Sequence, residues 1–228
     1  SSFANFVKSI RILAAFFTLL LPGIYVAVSN FHSEVLPTDL LFSILASREN
    51  VPFPVIFEIL ILEISFELIR EAGLRVPSPI GTTISIVGAL VLGQAAVSAG
   101  IVSPVLVIVV AMTGISSFAI PDFSFSFHLR LYRFIFMFLG YCCGFLGISL
   151  GLFAYISILC DMKSFGVPYM ANISPWSKIK GDSYFLPPIW KREYRAQYLD
   201  TKKDKKQEKI AMKWKFPFLS EKEEEIKR

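Results

Sequence analysis

RVPSPIGTTISIVGALVLGQAAVSAGIVSPVLVIVVAMTGISSFAIP, residues 75–121, decides how the rest of the chain is read. No charge falls between Arg75 and Asp122, yet Gly81, Gly88, Gly93, Gly100 and Pro104 interrupt the apolar run. A simple lipid anchor would be an unbroken run of Leu, Ile and Val. Closely spaced glycines instead let backbones approach each other, or bend, at membrane depth. Two apolar segments, 82–98 and 101–120, meet at Ala99-Gly100 and read either as two crossings or as a re-entrant hairpin. Gly81, Ser85, Ala89 and Gly93 repeat at i+4, a flat small-residue stripe suited to helix packing or oligomerisation. Gln94 is the only amide of the block, placed to hydrogen-bond across helices or to face an ion path.

Just upstream, residues 53–72 read FPVIFEILILEISFELIREA. The period is helical, but the segment carries Glu58, Glu63, Glu67, Arg70 and Glu71. At about 100° per residue, Glu63, Glu67, Arg70 and Glu71 fall within an arc of about 100°, with Glu58 offset. Glu67 and Glu71 are like charges at i,i+4, which Arg70 partly offsets. Such a helix lies in the membrane interface or lines a watery cavity. Gly73 serves as a C-cap, and Arg75-Val76-Pro77 ends the helix. Carboxylates at membrane depth mark ion paths or partner contacts, so Glu58, Glu63, Glu67, Glu71 and Gln94 are the candidate ion-pathway residues. Stacked carboxylates facing a shared lumen would attract cations and repel anions. A solvated face without a conduction role is the alternative.

Outside this core, residues 12–31 carry no charge, and about 20 residues at 1.5 Å each match the hydrocarbon thickness. Pro22-Gly23 is expected to kink or loosen this span. Lys8 and Arg11 at its start put that end on the cytoplasmic side. Residues 32–52 read as an outward loop with a short helix over 39–47. Residues 121–133, PDFSFSFHLRLYR, read as a second loop holding Asp122, His128, Arg130 and Arg133. His32 and His128 read as residues near headgroups. Residues 134–160 form a long apolar helix. Gly140, Gly144, Gly147 and Gly151 share one face of it, a close-packing seam within the subunit or between subunits.

Composition supports the membrane reading. Of 228 residues 54% are hydrophobic, 22 are phenylalanine, and the mean hydropathy is +0.58. Residues 1–160 hold 7 Lys/Arg and 8 Asp/Glu, whereas residues 161–228 hold 16 and 10. The net +5 therefore comes from the tail, which the positive-inside rule places in the cytoplasm. Anionic lipid headgroups suit that tail better than nucleic acid. Cys142, Cys143 and Cys160 lie in one apolar segment and read as packing residues. No HExxH, GxSxG, P-loop or Cys/His metal spacing occurs, so no enzyme, metal or cofactor is expected.

The expected fold is all-α: a polytopic integral membrane domain over residues 1–175, followed by a basic cytoplasmic tail over 176–228. About four transmembrane helices are expected (12–31, 82–98, 101–120, 134–160), plus the acidic amphipathic or re-entrant helix 53–72. An even count keeps both ends cytoplasmic, although four spans leave Arg130 and Arg133 outside.

PSPIG (77–81), SIVGALVLGQAAV (85–97), AGIVSP (99–104), SSFAIP (116–121) and SFGVPY (164–169) resemble the signature of the A subunits of bacterial spore germinant receptors, the GerA family. The resemblance runs from about Phe53 to Pro175. Beyond Trp190, Lys191-Arg192-Glu193 departs from the Arg-Pro pair usual in that family. The resemblance implies a subunit in the bacterial cell membrane, the inner membrane of the dormant spore. Its partners would be membrane lipid, a transporter-like B subunit, a lipoprotein C subunit and further copies of itself. It also implies an N-terminal soluble domain upstream of this region. The expected function is a nutrient-sensing receptor subunit that oligomerises into a ligand-gated, cation-permeable channel. A secondary transporter or export component, or a non-conducting scaffold, is the alternative.

Overall fold

The computed structural model describes residues 2–75 and 79–170, without the side chains of 2, 74, 75 and 79–86. Six helices follow one another: α1 (Ser2–Phe31), α2 (Thr38–Arg48), α3 (Val55–Arg75), α4 (Pro79–Ser98), α5 (Pro104–Phe118) and α6 (Phe123–Asp161). A single 3₁₀ turn, Ser33–Val35, links α1 to α2. A minimal hairpin, β1 (Lys163–Ser164) and β2 (Val167–Pro168), closes the described chain. Its turn, Phe165-Gly166, has positive φ at both positions, the geometry that matches the strand twist in a two-residue loop. The basic tail 176–228 lies outside the described residues.

Among the described residues, two helices are long and apolar enough to cross a bilayer, Phe3–Phe31 and Phe123–Asp161; Val87–Ser98 and Pro104–Phe118 are shorter apolar helices. The chain divides into two compact units, residues 9–155 and residues 1–8 with 156–228. The following geometry belongs to the first.

Pro22 does not interrupt α1, which remains helical through it. Gly23 beside it makes a contact that no other residue permits. A Cβ there would stand 2.8 Å from the Phe136 carbonyl oxygen, and a Cβ at Gly140 would stand 2.6 Å from the Gly23 carbonyl oxygen. α1 and α6 therefore meet backbone to backbone. Leu19, Leu20, Ala27, Leu129, Phe136 and Ile148 fill the space around that contact.

The expected loop over 121–133 is helix. Asp122 accepts a hydrogen bond from the Phe125 amide at 2.8 Å, so the carboxylate caps α6 and the helix starts at Phe123. At Gly144 the backbone leaves the helical region, with φ 61° and ψ −142°. The chain doubles back there. Tyr132 packs against Tyr155 with ring centroids 4.8 Å apart and planes tilted by 56°, and Phe136 meets Gly151 and Tyr155. Gly147 lies against the Leu139 carbonyl. The glycines of 140–151 thus do not share one face of a straight helix: Gly147 and Gly151 lie between two arms, 123–143 and 145–155, Gly140 faces Gly23 of α1, and Gly144 is the tip.

The contacts also fix directions. Gly23 lies near Phe136, and Phe31 and His32 lie near Gly144, so α1 and the first arm run parallel. Glu63 pairs with Arg133 and Glu67 with Arg130, so α3 runs antiparallel to that arm. Gly88 faces Ile69 and Gly93 faces Val107, which sets α4 antiparallel to both α3 and α5. α3 is not set apart at an edge. Val55, Ile56, Ile59 and Leu62 join Val26 of α1, Leu106 and Val110 of α5, and Met137 of α6 in one core. α3 continues to Arg75, with Gly73 inside it rather than capping it.

Candidate functional site: a buried ion-pair cluster between α3 and α6

α3 carries its charges into that core. Glu58 and Glu63 are fully buried, Arg70 is 5% exposed, Arg130 is 7% exposed and Arg133 is fully buried. The charges form two groups because Glu58 points away from the others. Its Oε1 lies 3.1 Å from Arg48 Nη2 at the end of α2, and its Oε2 accepts the Ser103 amide at 3.1 Å. Glu58 thus holds the start of α5 with a charge suited to a helix N-terminus.

The second group is centred on Glu67. Arg130 Nη1 donates to Glu67 Oε2 at 2.7 Å, and Arg133 Nη2 donates to Oε1 at 2.8 Å. Arg70 Nη1, on the same helix, reaches Oε1 at 3.2 Å. Three guanidiniums converge on one carboxylate. Arg133 Nη2 also stands 2.9 Å from Glu63 Oε2, but neither Glu63 oxygen has hydrogen-bond geometry to any partner. Arg70 donates a longer bond, 3.4 Å, to the Gly114 carbonyl. Its guanidinium lies between the rings of Phe66 and Phe118, at 5.1 and 4.8 Å. Phe123 and Phe127 flank Arg130, and Phe134 flanks Arg133. Aromatic faces attract a cation more strongly where water is scarce.

Gly114 makes room for this arrangement. A Cβ there would stand 2.5 Å from the Phe66 ring, the same ring that supports Arg70. On the outer side of the cluster lies a cleft of about 430 Å³, lined by Ile64, Glu67, Leu68, Arg130, Leu131 and Phe134 among others. Glu67 is reached from this cleft, with 26% of its side chain exposed.

The residues expected to act together separate as follows. Glu63 and Glu67 belong to the cluster, and exposed Glu71 lines the cleft. Glu58 belongs to the α2–α5 junction. Gln94 is exposed on α4, away from the carboxylates' ion pairs, with Ala89 half-buried and Gly93 packed on Val107. Gly81 and Ser85 lie outside the described side chains. The sequence reading missed Arg130 and Arg133, which stood in a presumed loop. The signal was present: three residues apart on a helix, they share a face. Among the described residues no group of three or more His, Cys, Asp and Glu side chains could hold a metal ion.

Among the described residues the geometry is that of a helical protein with two helices long and apolar enough for a bilayer and an ion-pair cluster among its helices. The chain belongs to the GerA family: the description Bacillus/Clostridium GerA spore germination protein matches residues 1–198. It is 48% identical over 204 residues, 89% of this chain, to spore germination protein KA of Bacillus subtilis. It is 46% identical over 187 residues to spore germination protein A1 of the same organism, 82% of this chain. It is 40% identical over 197 residues to spore germination protein GerLA of Bacillus cereus, 86% of this chain. The chain spans 37%, 39% and 40% of these relatives' lengths, respectively. No solved structure matches it.

Proposed function

We propose that the chain is the membrane part of a nutrient-sensing spore germination receptor subunit, and that copies of it oligomerise into a ligand-gated, cation-permeable channel. The observation that supports this reading is that α3, a helix whose apolar side chains join the central packing, carries a fully buried Glu63 and a part-buried Glu67. Ionisable groups among apolar helices are costly and mark ion paths. The relatives named spore germination proteins support the setting of spore germination, and we place the chain in the inner membrane of the spore. Nutrient sensing falls to partner subunits, a transporter-like one and a lipoprotein. The alternating helix directions favour an even number of crossings that includes α3 and both arms of α6, in place of the four read from the sequence. The tail then stays on the cytoplasmic side, near anionic headgroups.

Reconstitution of the receptor in potassium-loaded vesicles tests the channel. Glu63→Ala and Glu67→Ala should change cation selectivity or conductance. Ion release unchanged in both would remove the carboxylates from the path. Saturable, stoichiometric substrate flux would mark a transporter. Correct oligomers without current would mark a scaffold.

A further inference from the structure

We infer that Arg130 and Arg133 are the latch of this channel: they hold Glu63 and Glu67 out of the ion path at rest, and opening requires the first arm of α6 to part from α3. The inference rests on the channel reading above. A carboxylate attracts cations only when its charge is uncompensated. Here Glu67 accepts from three guanidiniums and Glu63 lies 2.9 Å from Arg133. In this arrangement neither glutamate offers a free charge. The conformation described is therefore the resting one.

Three observations locate the moving part. First, the cluster is poorly satisfied for a permanent structural bridge. Arg70 Nε, Arg130 Nε, Arg133 Nε, Arg133 Nη1 and both Glu63 oxygens are buried without a hydrogen-bond partner. Buried charges lacking full hydrogen bonding repay little of their desolvation, so the closed state exceeds its rivals by a small margin. Second, α6 is anchored on its other side. The Gly23–Gly140 backbone contact fastens it to α1, so an arm that parts from α3 carries α1 with it and loosens the shared core at Val26 and Met137. Third, the cleft at Glu67 and Arg130 already separates the helices on one side, and water entering there reaches the first ion pair to break.

The test uses the whole receptor in vesicles of phosphatidylglycerol and phosphatidylethanolamine loaded with potassium, with efflux recorded before any nutrient is added. Arg130→Gln and Arg133→Gln should each raise this resting efflux on the order of tenfold, as expected when a small closed-state bias is lost. Arg130→Lys, which keeps the charge, should stay near the unaltered level. The exchange Glu67→Arg with Arg130→Glu should lower the leak again. A merely structural role would not give this pattern. In a background with Cys142, Cys143 and Cys160 replaced by Ser, Leu68→Cys and Leu131→Cys place thiols on both walls of the cleft. A short crosslinker cleavable by reductant should stop the Arg130→Gln leak, and reduction should restore it. If Arg130→Gln fails to assemble, Glu67→Asp shortens the acceptor while keeping its charge, with a rise of about two- to threefold. Assembled variants with no extra leak, or a leak that the crosslink does not stop, overturn the latch. An unaltered receptor that passes no potassium even in nutrient broth overturns the channel reading instead.

Discussion

The first arm of α6 packs on two neighbours by opposite means. Toward α1 it presents Gly140 and a bare backbone, and the contact is glycine on glycine with apolar side chains around it. Toward α3 it presents Arg130 and Arg133, and the contact is charge on charge. The first depends on shape and holds only at one distance. The second depends on the local dielectric, and weakens when water enters. One helix thus has a fixed side and a conditional side.

The largest expected effect tests the conditional side. Arg133→Met leaves Glu63 buried without a counter-charge, which typically costs about 3–5 kcal/mol. Thermal unfolding in detergent should show a large loss, and most of it should return in Arg133→Met with Glu63→Met, since two apolar side chains leave no orphan charge. Failure of the double variant to recover would mean that the pair does more than compensate itself.

Next comes the fixed side. Gly23→Leu forces a side chain against the Phe136 carbonyl, and overpacking of this kind costs about 1–3 kcal/mol or more. The same thermal measurement should fall, and no partner substitution of a side chain should rescue it, because the obstacle is backbone. Rescue by trimming a neighbouring side chain would show that the contact is not backbone on backbone.

Glu58→Gln should have a smaller effect, about 1–3 kcal/mol, because an amide oxygen can still accept from Ser103 while the bond to Arg48 loses its charge. Hydrogen exchange at the start of α5 reads this locally. Cys142→Ser, on an exposed position of the same arm, should stay within about 0.5 kcal/mol. It marks the level below which neither side of the helix is being perturbed.

The helices themselves were legible from period and hydropathy: α3, α4 and α5 fall within a few residues of where the pattern puts them, whereas α1 ends as expected but begins ten residues earlier, at Ser2, through the charged stretch of Lys8 and Arg11. The start of α6 was not. His128, Arg130 and Arg133 interrupt the apolar pattern, and a charge beside a membrane segment reads as loop when its partner is unknown. That partner, Glu67, lies 63 residues away, a distance at which one sequence carries no pairing information. The glycine seam was seen but misplaced for a related reason. Spacing of 4, 3 and 4 looks the same in a straight helix and in two arms folded at Gly144, and only the backbone angle distinguishes them. The carboxylates of α3 stood out in the sequence, but their pairing with α6 depends on packing that periodicity does not report.

Gly144 also bears on how the chain enters a bilayer during synthesis. If residue 144 took ordinary helical angles, 39 residues of α6 would form a rod of about 58 Å, nearly twice the hydrocarbon thickness. On the proposed crossing of both arms, the glycine converts an element too long for one crossing into a pair that would be inserted together, as a wedge whose polar ends never have to traverse the oily interior. A β-branched residue at that position would thus be felt first by the insertion machinery, before any question of ion flow arises.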